Sequence, residues 1–204
     1  MFKLYSRANS GSLVVEAILE HVGARYQLIE VEGGKPSSEL IRLNPLGQVP
    51  VLMLLDDSVM TESAGMTIYL ADIYPEAKLA PSVTSPQRSR YLRWMLFLAA
   101  NIYMTDLRVY YPDRYSSDKS HAAGIKAAAI VHMAEQWKIF AEALGHGSFI
   151  LGDELSAVDI YAAMLAEWNV DVPAFFAEHP NVKALYDRVR QVPAFDRVWA
   201  RNNS

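Results

Sequence analysis

The sequence predicts a small α/β layer followed by an all-α bundle, an α+β / α architecture in two parts. Three observations carry that reading. Up to about residue 75, strand-like and helix-like segments alternate, the pattern of a sheet with helices laid on it. From Pro75 to Pro86, with prolines at 75, 81 and 86, no periodicity is visible and the stretch reads as a linker. Beyond it, apolar residues recur at helical spacing to the end of the chain.

Each element follows from its local pattern. Phe2 to Tyr5 reads as a strand, Ser12 to Val22 as a helix and Tyr26 to Val31 as a strand parallel to the first, which together make a βαβ unit. After a loop with Gly33, Gly34 and Pro36, Val51 to Leu54 and Ser58 to Met60 flank an Asp56-Asp57 turn and form a hairpin. Glu62 to Ile73 follows helical spacing through Met66, Tyr69 and Leu70. The order βαβ then ββα is that of a thioredoxin-like layer. Ser85 as N-cap with Pro86 at the first helical position opens a long helix whose apolar face runs Tyr91, Met95, Leu98, Ile102. The next helix carries a stripe of Ala127, Ile130, Ala134, Trp137, Ala141 and Leu144. Shorter segments from Ala157 to Asn169, Asn181 to Gln191 and Ala194 to Arg201 complete the bundle. The expected boundaries are a thioredoxin-like domain over 1–75, a linker over 76–85 and an all-helical domain over 86–204.

Composition narrows the function. The 204 residues are 51% hydrophobic and 21% charged, the balance of an ordinary globular protein. Nineteen Lys and Arg against 23 Asp and Glu give a net charge of −4 with no basic run, so phosphate neutralisation has no source and a nucleic-acid partner is not expected. Zero cysteines remove disulfides, thiolate zinc sites and cysteine nucleophiles. The start, MFKLYSRANS, lacks the layout of a secretory signal, and the apolar runs fall short of the ~20 residues that span a bilayer. A cytoplasmic protein with no membrane partner is expected. The five histidines, at 21, 121, 132, 146 and 179, have no metal spacing, and no GxGxxG, P-loop or GxSxG pattern occurs.

The most informative stretch is Asn44-Pro-Leu-Gly-Gln-Val-Pro-Val-Leu, followed by Thr61-Glu62-Ser63 at the head of a helix. A proline at the mouth of a strand cannot donate to the ladder, and the Val49-Pro50 bond is a candidate for the cis isomer. In that geometry Val49 turns its N–H and C=O outward to an extended peptide. The free amides at the start of the helix and the Ser63 hydroxyl suit a carboxylate, while the Glu62 carboxylate suits an ammonium. Together they read the two ends of an α-amino acid.

These residues, with TESAGMTIYLADIYP, FILGDELSAVDI and HPNVKALYDRVRQVPAF in the same order, resemble the glutathione S-transferase family over essentially the whole chain. The likeness is to bacterial-type cytosolic, theta-, zeta- or nu-like members without a catalytic cysteine. It implies that Val49 and cis Pro50 hold the cysteinyl backbone of glutathione, that Glu62 and Ser63 hold its γ-glutamyl end, and that Gln48 with Lys35 reaches the glycyl carboxylate. Ser156 and Asp159 form a variant capping box at a helix start, which speaks for folding and adds no site.

Glutathione chemistry needs a thiolate, and a polar donor at a helix N-terminus lowers a thiol pKa from its free value of ~8.5. The loop Ser6 to Ser12 precedes the first helix and, with Tyr5 just before it, supplies three candidate donors. The family's serine falls on Asn9 with Ser10 immediately after, and the tyrosine of alpha-like members falls on Tyr5. Ser12 reads as the helix N-cap. The cysteine position of beta- and omega-like members falls near Gly11, so chemistry through an enzyme disulfide is not expected. Tyr103, Arg108 and Tyr111, with Tyr110, Trp94 and Met104, make a candidate second-substrate region suited to an apolar electrophile. The resemblance implies a homodimeric transferase conjugating glutathione, the co-substrate, in detoxification, without a metal. A glutathione-dependent isomerase or dehalogenase and a non-catalytic binding module remain the alternatives.

Overall fold

A computed structural model describes residues 1–202. The chain forms two compact units, one of residues 1–82 joined by residues 188–202, the other of Val83–Asp187.

In the first unit β1 (Phe2–Ser6), α1 (Ser12–His21) and β2 (Tyr26–Glu30) form the βαβ unit. A short helix, α2 (Ser38–Leu43), precedes the hairpin of β3 (Val51–Met53) and β4 (Val59–Met60), and α3 (Ser63–Ile73) closes the layer. The sheet order is β2-β1-β3-β4. β1 pairs parallel with β2, while β3 is antiparallel to both β1 and β4. The sheet is buried on both faces at β1, where Phe2 and Leu4 are 1% and 0% exposed and Tyr5 is 5% exposed, and Val14 and Ile18 of α1 and Met66 and Leu70 of α3 are fully buried as well. The thioredoxin-like layer is the one that the strand and helix periodicities predict.

α2 has no counterpart in the sequence reading. It is six residues long, too short for a periodic signal, and its start is fixed by Ser37, whose hydroxyl accepts from the Leu40 N–H at 3.1 Å. Its Leu40 is 1% exposed and packs with Tyr5 and Val51 under the site end of the sheet.

The last helix, α10 (Pro193–Asn202), belongs to the first unit. It lies on α1, where Phe195 stacks on His21 at 5.0 Å and Arg201 reaches Glu16 at 2.6 Å. Phe195, Val198 and Trp199 are fully buried there, each adding about 1.5–3 kcal/mol of hydrophobic stabilisation. A reading of helical segments in chain order groups α10 with the bundle, because nothing local marks the face on which it lies.

The second unit begins with α4 (Arg88–Phe97), which continues through a π-helical segment over Leu98–Tyr103 into α5 (Met104–Tyr110). The expected face Tyr91, Met95, Leu98, Ile102 is buried throughout. Ser85 caps the preceding turn instead of the helix itself, accepting from the Gln87 N–H at 3.2 Å. α6 (Ala122–Leu144) corrects the sequence reading in its first half: Ala127, Ile130 and Ala134 are exposed, and the buried stripe is Ala129, Met133, Trp137, Phe140, Leu144. Alanines lie all round this helix, so the large side chains set its phase, and stepping back four from Trp137 reaches Met133. α7 (Ala157–Ala166), α8 (Val172–Glu178) and α9 (Pro180–Arg190) follow, of which α8 was not foreseen. Asp159 of α7 accepts from the Ser156 N–H and the Ile150 N–H, both at 2.8 Å, and from the Ser156 hydroxyl at 2.6 Å, forming the expected capping box and pinning the loop before it.

Candidate functional site

The register of the sheet gathers the candidate residues of the first unit at one end. Tyr5 lies opposite Val51 and Leu52 opposite Met60. The carboxyl end of β1, the entry to β3 and the exit of β4 therefore coincide. The loop Arg7 to Gly11, the Gln48-Val49-Pro50 stretch and Glu62-Ser63 leave the sheet there, and so does the segment carrying Lys35, since β2 is parallel to β1.

The Val49-Pro50 peptide bond is cis. The β1–β3 ladder ends at Val51, so Val49 and Pro50 lie past its last pair. The turn before them is built by Asn44, 6% exposed, whose amide donates to the Gln48 carbonyl at 2.9 Å and whose Oδ1 accepts from the Leu46 N–H at 3.1 Å. Gly47 sits in this turn at φ 64°, and a Cβ there would meet Pro36 Cγ at 2.7 Å. Gln48 and Lys35 are exposed, open to solvent at the same sheet end.

Glu62 holds the position before α3 with φ 68° and ψ 99°, a conformation that non-glycine residues rarely adopt. Its carbonyl accepts from the Met66 N–H at 2.9 Å, which starts the helix, and its carboxylate is exposed. Ser63, the first residue of α3, is buried at 9% exposure. Such strain persists where the surroundings over-determine it, commonly beside a ligand.

The donor loop shows where each candidate hydroxyl and amide goes. Tyr5 is 5% exposed and its phenol donates to the Glu39 carboxylate at 2.8 Å. Burial first, then Glu39, hold that phenol above its ordinary pKa. Its single proton is committed to α2. Asn9 occupies the left-handed region at φ 53° in an exposed turn, which Asn tolerates better than most residues. Ser10 is partly buried, donates to the Arg7 carbonyl at 2.7 Å and contacts the Ser12 hydroxyl at 2.7 Å. Ser12 corrects the sequence reading: it is the first residue of α1, the cap position is Gly11, and no side chain caps the helix. The Ser12 hydroxyl, on a residue with 0% exposure, turns into the loop, where it receives the Ser6 hydroxyl at 2.7 Å and the Arg7 N–H at 3.2 Å. Sequence reasoning gave no role to Ser6, Ser12 or Asn44 in shaping the site. The serine spacing 6, 10, 12 was the available signal.

In the second unit Tyr103 packs edge-on to Trp168 at 5.2 Å and against Tyr161 at 6.5 Å. The Arg108 guanidinium lies over Tyr115 at 4.7 Å and donates to the Met104 carbonyl at 2.6 Å, while Tyr111, 43% exposed, lies beneath Arg114 at 3.9 Å. Tyr110 donates to the Trp168 carbonyl at 2.7 Å. Trp94 leaves the candidate region: it is 1% exposed and packs edge-on to Phe97 and Phe140 in the core.

The family model described as the glutathione S-transferase N-terminal domain matches residues 5–78, and that of the C-terminal domain matches residues 99–193. The uncharacterized GST-like protein YncG of Escherichia coli K12 is 31% identical over 206 residues, spanning 99% of this chain and 98% of its own. Glutathione S-transferase GstA of Escherichia coli O157:H7 is 24% identical over 94% of both chains. Among solved structures, BphK, a bacterial GST, superposes with a TM-score of 0.88 at 26% identity over 99% of this chain and 100% of its own. A glutathione transferase of Methylococcus capsulatus superposes with a TM-score of 0.84 at 25% identity over 100% and 99%.

Proposed function

Because this chain belongs to the glutathione S-transferase family, we propose that it binds glutathione at the carboxyl end of its parallel strands and transfers the tripeptide's thiolate to an apolar electrophile. The reading rests on one observation: the Ser10 hydroxyl at the start of α1 leaves the sheet at the same end as the Val49 backbone and the Glu62-Ser63 helix start. Val49 beside Pro50 would pair with the cysteinyl backbone, as a neighbouring strand does. Glu62 would take the γ-glutamyl ammonium and the amides and hydroxyl of Ser63 its carboxylate. Exposed Gln48 and Lys35 would answer the glycyl carboxylate.

Ser10 is the donor this geometry favours. Tyr5 spends its proton on Glu39, and Asn9 sits in an exposed turn, whereas Ser10 is held at the helix start by its loop. Each unit by which a donor lowers the thiol pKa corresponds to about 1.36 kcal/mol. Tyr103, Arg108 and Tyr111 are the residues proposed for the electrophile, and binding both reactants on one protein would supply acceleration through proximity. A homodimeric, cytoplasmic detoxification enzyme is the assembly and setting proposed.

The test is a glutathione titration by calorimetry, followed by thiolate absorbance and turnover with a halogenated dinitrobenzene. The expected result is binding, a thiolate band near neutral pH, and at least a tenfold loss of kcat/KM in Ser10→Ala but not in Asn9→Ala, about 1.4 kcal/mol of transition-state stabilisation. Binding without thiolate or turnover would make the protein a glutathione-binding module, and no binding would overturn the proposal.

A further inference from the structure

The buried hydroxyls around Ser10 form a directed relay, and we propose that Ser12, backed by Ser6, is a positioning residue that aims the Ser10 proton at the glutathione sulfur. This rests on the reading of Ser10 as the thiolate donor. The direction follows from lone-pair arithmetic. A serine oxygen has one proton to give and two lone pairs to fill. Ser12 Oγ receives the Ser6 hydroxyl at 2.7 Å and the Arg7 N–H at 3.2 Å, so both its lone pairs are taken. Ser10 therefore cannot donate to it, and the 2.7 Å contact between the two oxygens is Ser12 donating to Ser10. Ser10 Oγ in turn receives that proton and the Ser12 N–H at 3.3 Å, which fills its own lone pairs. Its own hydrogen is thereby kept off Ser12 and goes to the Arg7 carbonyl or to a bound sulfur.

Without glutathione that hydrogen rests on the Arg7 carbonyl at 2.7 Å. Ser12 also lies 3.1 Å from the same carbonyl, but its one proton is engaged with Ser10 in the relay, so a Ser10 that turns to a sulfur exchanges the carbonyl for the anion. Burial strengthens the chain: Ser12 and Ser6 are 0% and 4% exposed, so no water competes for their protons. Hydrogen bonds in series polarise one another, and a Ser10 oxygen that is already accepting two becomes a stronger donor to an anion. The network thus performs two tasks, fixing the rotamer of Ser10 and sharpening its O–H.

The test compares Ser12→Ala, Ser12→Thr, Ser6→Ala and Ser10→Ala by the pKa of bound glutathione, read as thiolate absorbance against pH. S-methylglutathione, which has no ionisable thiol, reports the peptide grip alone. The expected result is a bound-thiol pKa raised by about one unit in Ser12→Ala, a tenfold loss of thiolate, with S-methylglutathione affinity unchanged. Ser12→Thr keeps the hydroxyl and restores the wild-type pKa, and Ser6→Ala shifts it less and in the same direction. A merely structural Ser12 would weaken S-methylglutathione binding and leave the pKa in place, which overturns the relay. So does an unmoved pKa in both Ser12→Ala and Ser6→Ala while Ser10→Ala abolishes the thiolate, an outcome that leaves the donor reading standing. Failure of the wild-type protein to bind either peptide overturns the donor reading and the relay together.

Discussion

Arg201→Ala isolates the force that holds the last helix onto the first unit. Glu16 lies within α1 with its side chain 2% exposed, and its close cationic partner is Arg201, at 2.6 Å from a helix that follows 185 positions later. Truncating Arg201 leaves a buried carboxylate uncompensated, a loss measured at about 3–5 kcal/mol for fully buried pairs. Arg201 is itself 46% exposed, so water can follow the vacated guanidinium, and we set the expected loss at about 2–3 kcal/mol. The neighbouring Tyr26 phenol cannot compensate, because it donates to Glu20 at 3.0 Å. For a chain of this size each kcal/mol moves the melting temperature by roughly 2–4 °C, giving a fall of about 5–10 °C by calorimetry. The control is Arg197→Ala, which breaks the pair with Glu20 whose side chains are 56% and 24% exposed. An exposed pair of that kind contributes about 0.2–1 kcal/mol, so its melting temperature should fall by no more than ~3 °C. Equal, small shifts in the two variants would refute the argument from burial.

The pH dependence of stability should carry the mark of Asp106. It is 5% exposed, its Oδ1 has no partner among the described residues, and burial pushes its pKa from 3.8 to about 8. The folded chain then holds a proton that the unfolded chain has lost. Stability therefore falls as pH rises from about 4 to 8, by up to ~1.4 kcal/mol per unit, and levels off above. Tyr110 beside it is pushed up by burial and then by Asp106, which keeps it out of this window. In urea unfolding Asp106→Asn should gain on wild type across that range, and a gap independent of pH would show that the carboxyl ionises in the fold. Asp159→Ala should cost about 2–4 kcal/mol by urea unfolding, since it orphans the Ile150 and Ser156 amides and the Ser156 hydroxyl in a fully buried place. Gly47→Ala should lose about 1–3 kcal/mol of thermal stability and weaken glutathione binding, because the Cβ strikes Pro36 and the backbone is left-handed. Gly33→Ala, with nothing within 4 Å of the added carbon, should change neither measurement.

The parts legible in the sequence are those whose cause is local. Period-two and period-3.6 patterns give the βαβ-ββα order, and a proline at a strand mouth followed by Glu62-Ser63 marks the cis bond and the sheet end at which the candidate residues gather. Where the cause is distant, legibility fails. The lodging of α10 on α1 depends on a charge pair and a ring stack that bring Arg201 and Phe195 to Glu16 and His21. The phase of α6 depends on which of two apolar faces meets Phe140's neighbours, and a run rich in alanine does not announce it. Ser12 failed for a third reason. A serine at a helix start can cap the helix or bond the loop before it, and only the fold decides which amide is within reach.

The energetics assign the thiol shift to very few groups. On the proposed reaction, a chain with no cysteine cannot activate glutathione through an enzyme disulfide, so the ionisation itself would have to be made favourable. Bringing a thiol from ~8.5 to about 7 requires roughly 2 kcal/mol. A hydrogen bond to a charged acceptor contributes about 1.5–3 kcal/mol net, and the amino end of a ten-residue helix such as α1 adds about 0.3–1 kcal/mol. One serine hydroxyl at that helix end would therefore suffice for the proposed shift, without a second catalytic side chain. What the proposed site would require instead is that the single hydroxyl be aimed, the task the proposed relay gives to the buried loop beneath it. Loss of aim and loss of the donor then differ in degree: Ser12→Ala should leave part of the shift, carried by the amide end of α1 and a mobile Ser10, whereas Ser10→Ala should leave only the helix contribution.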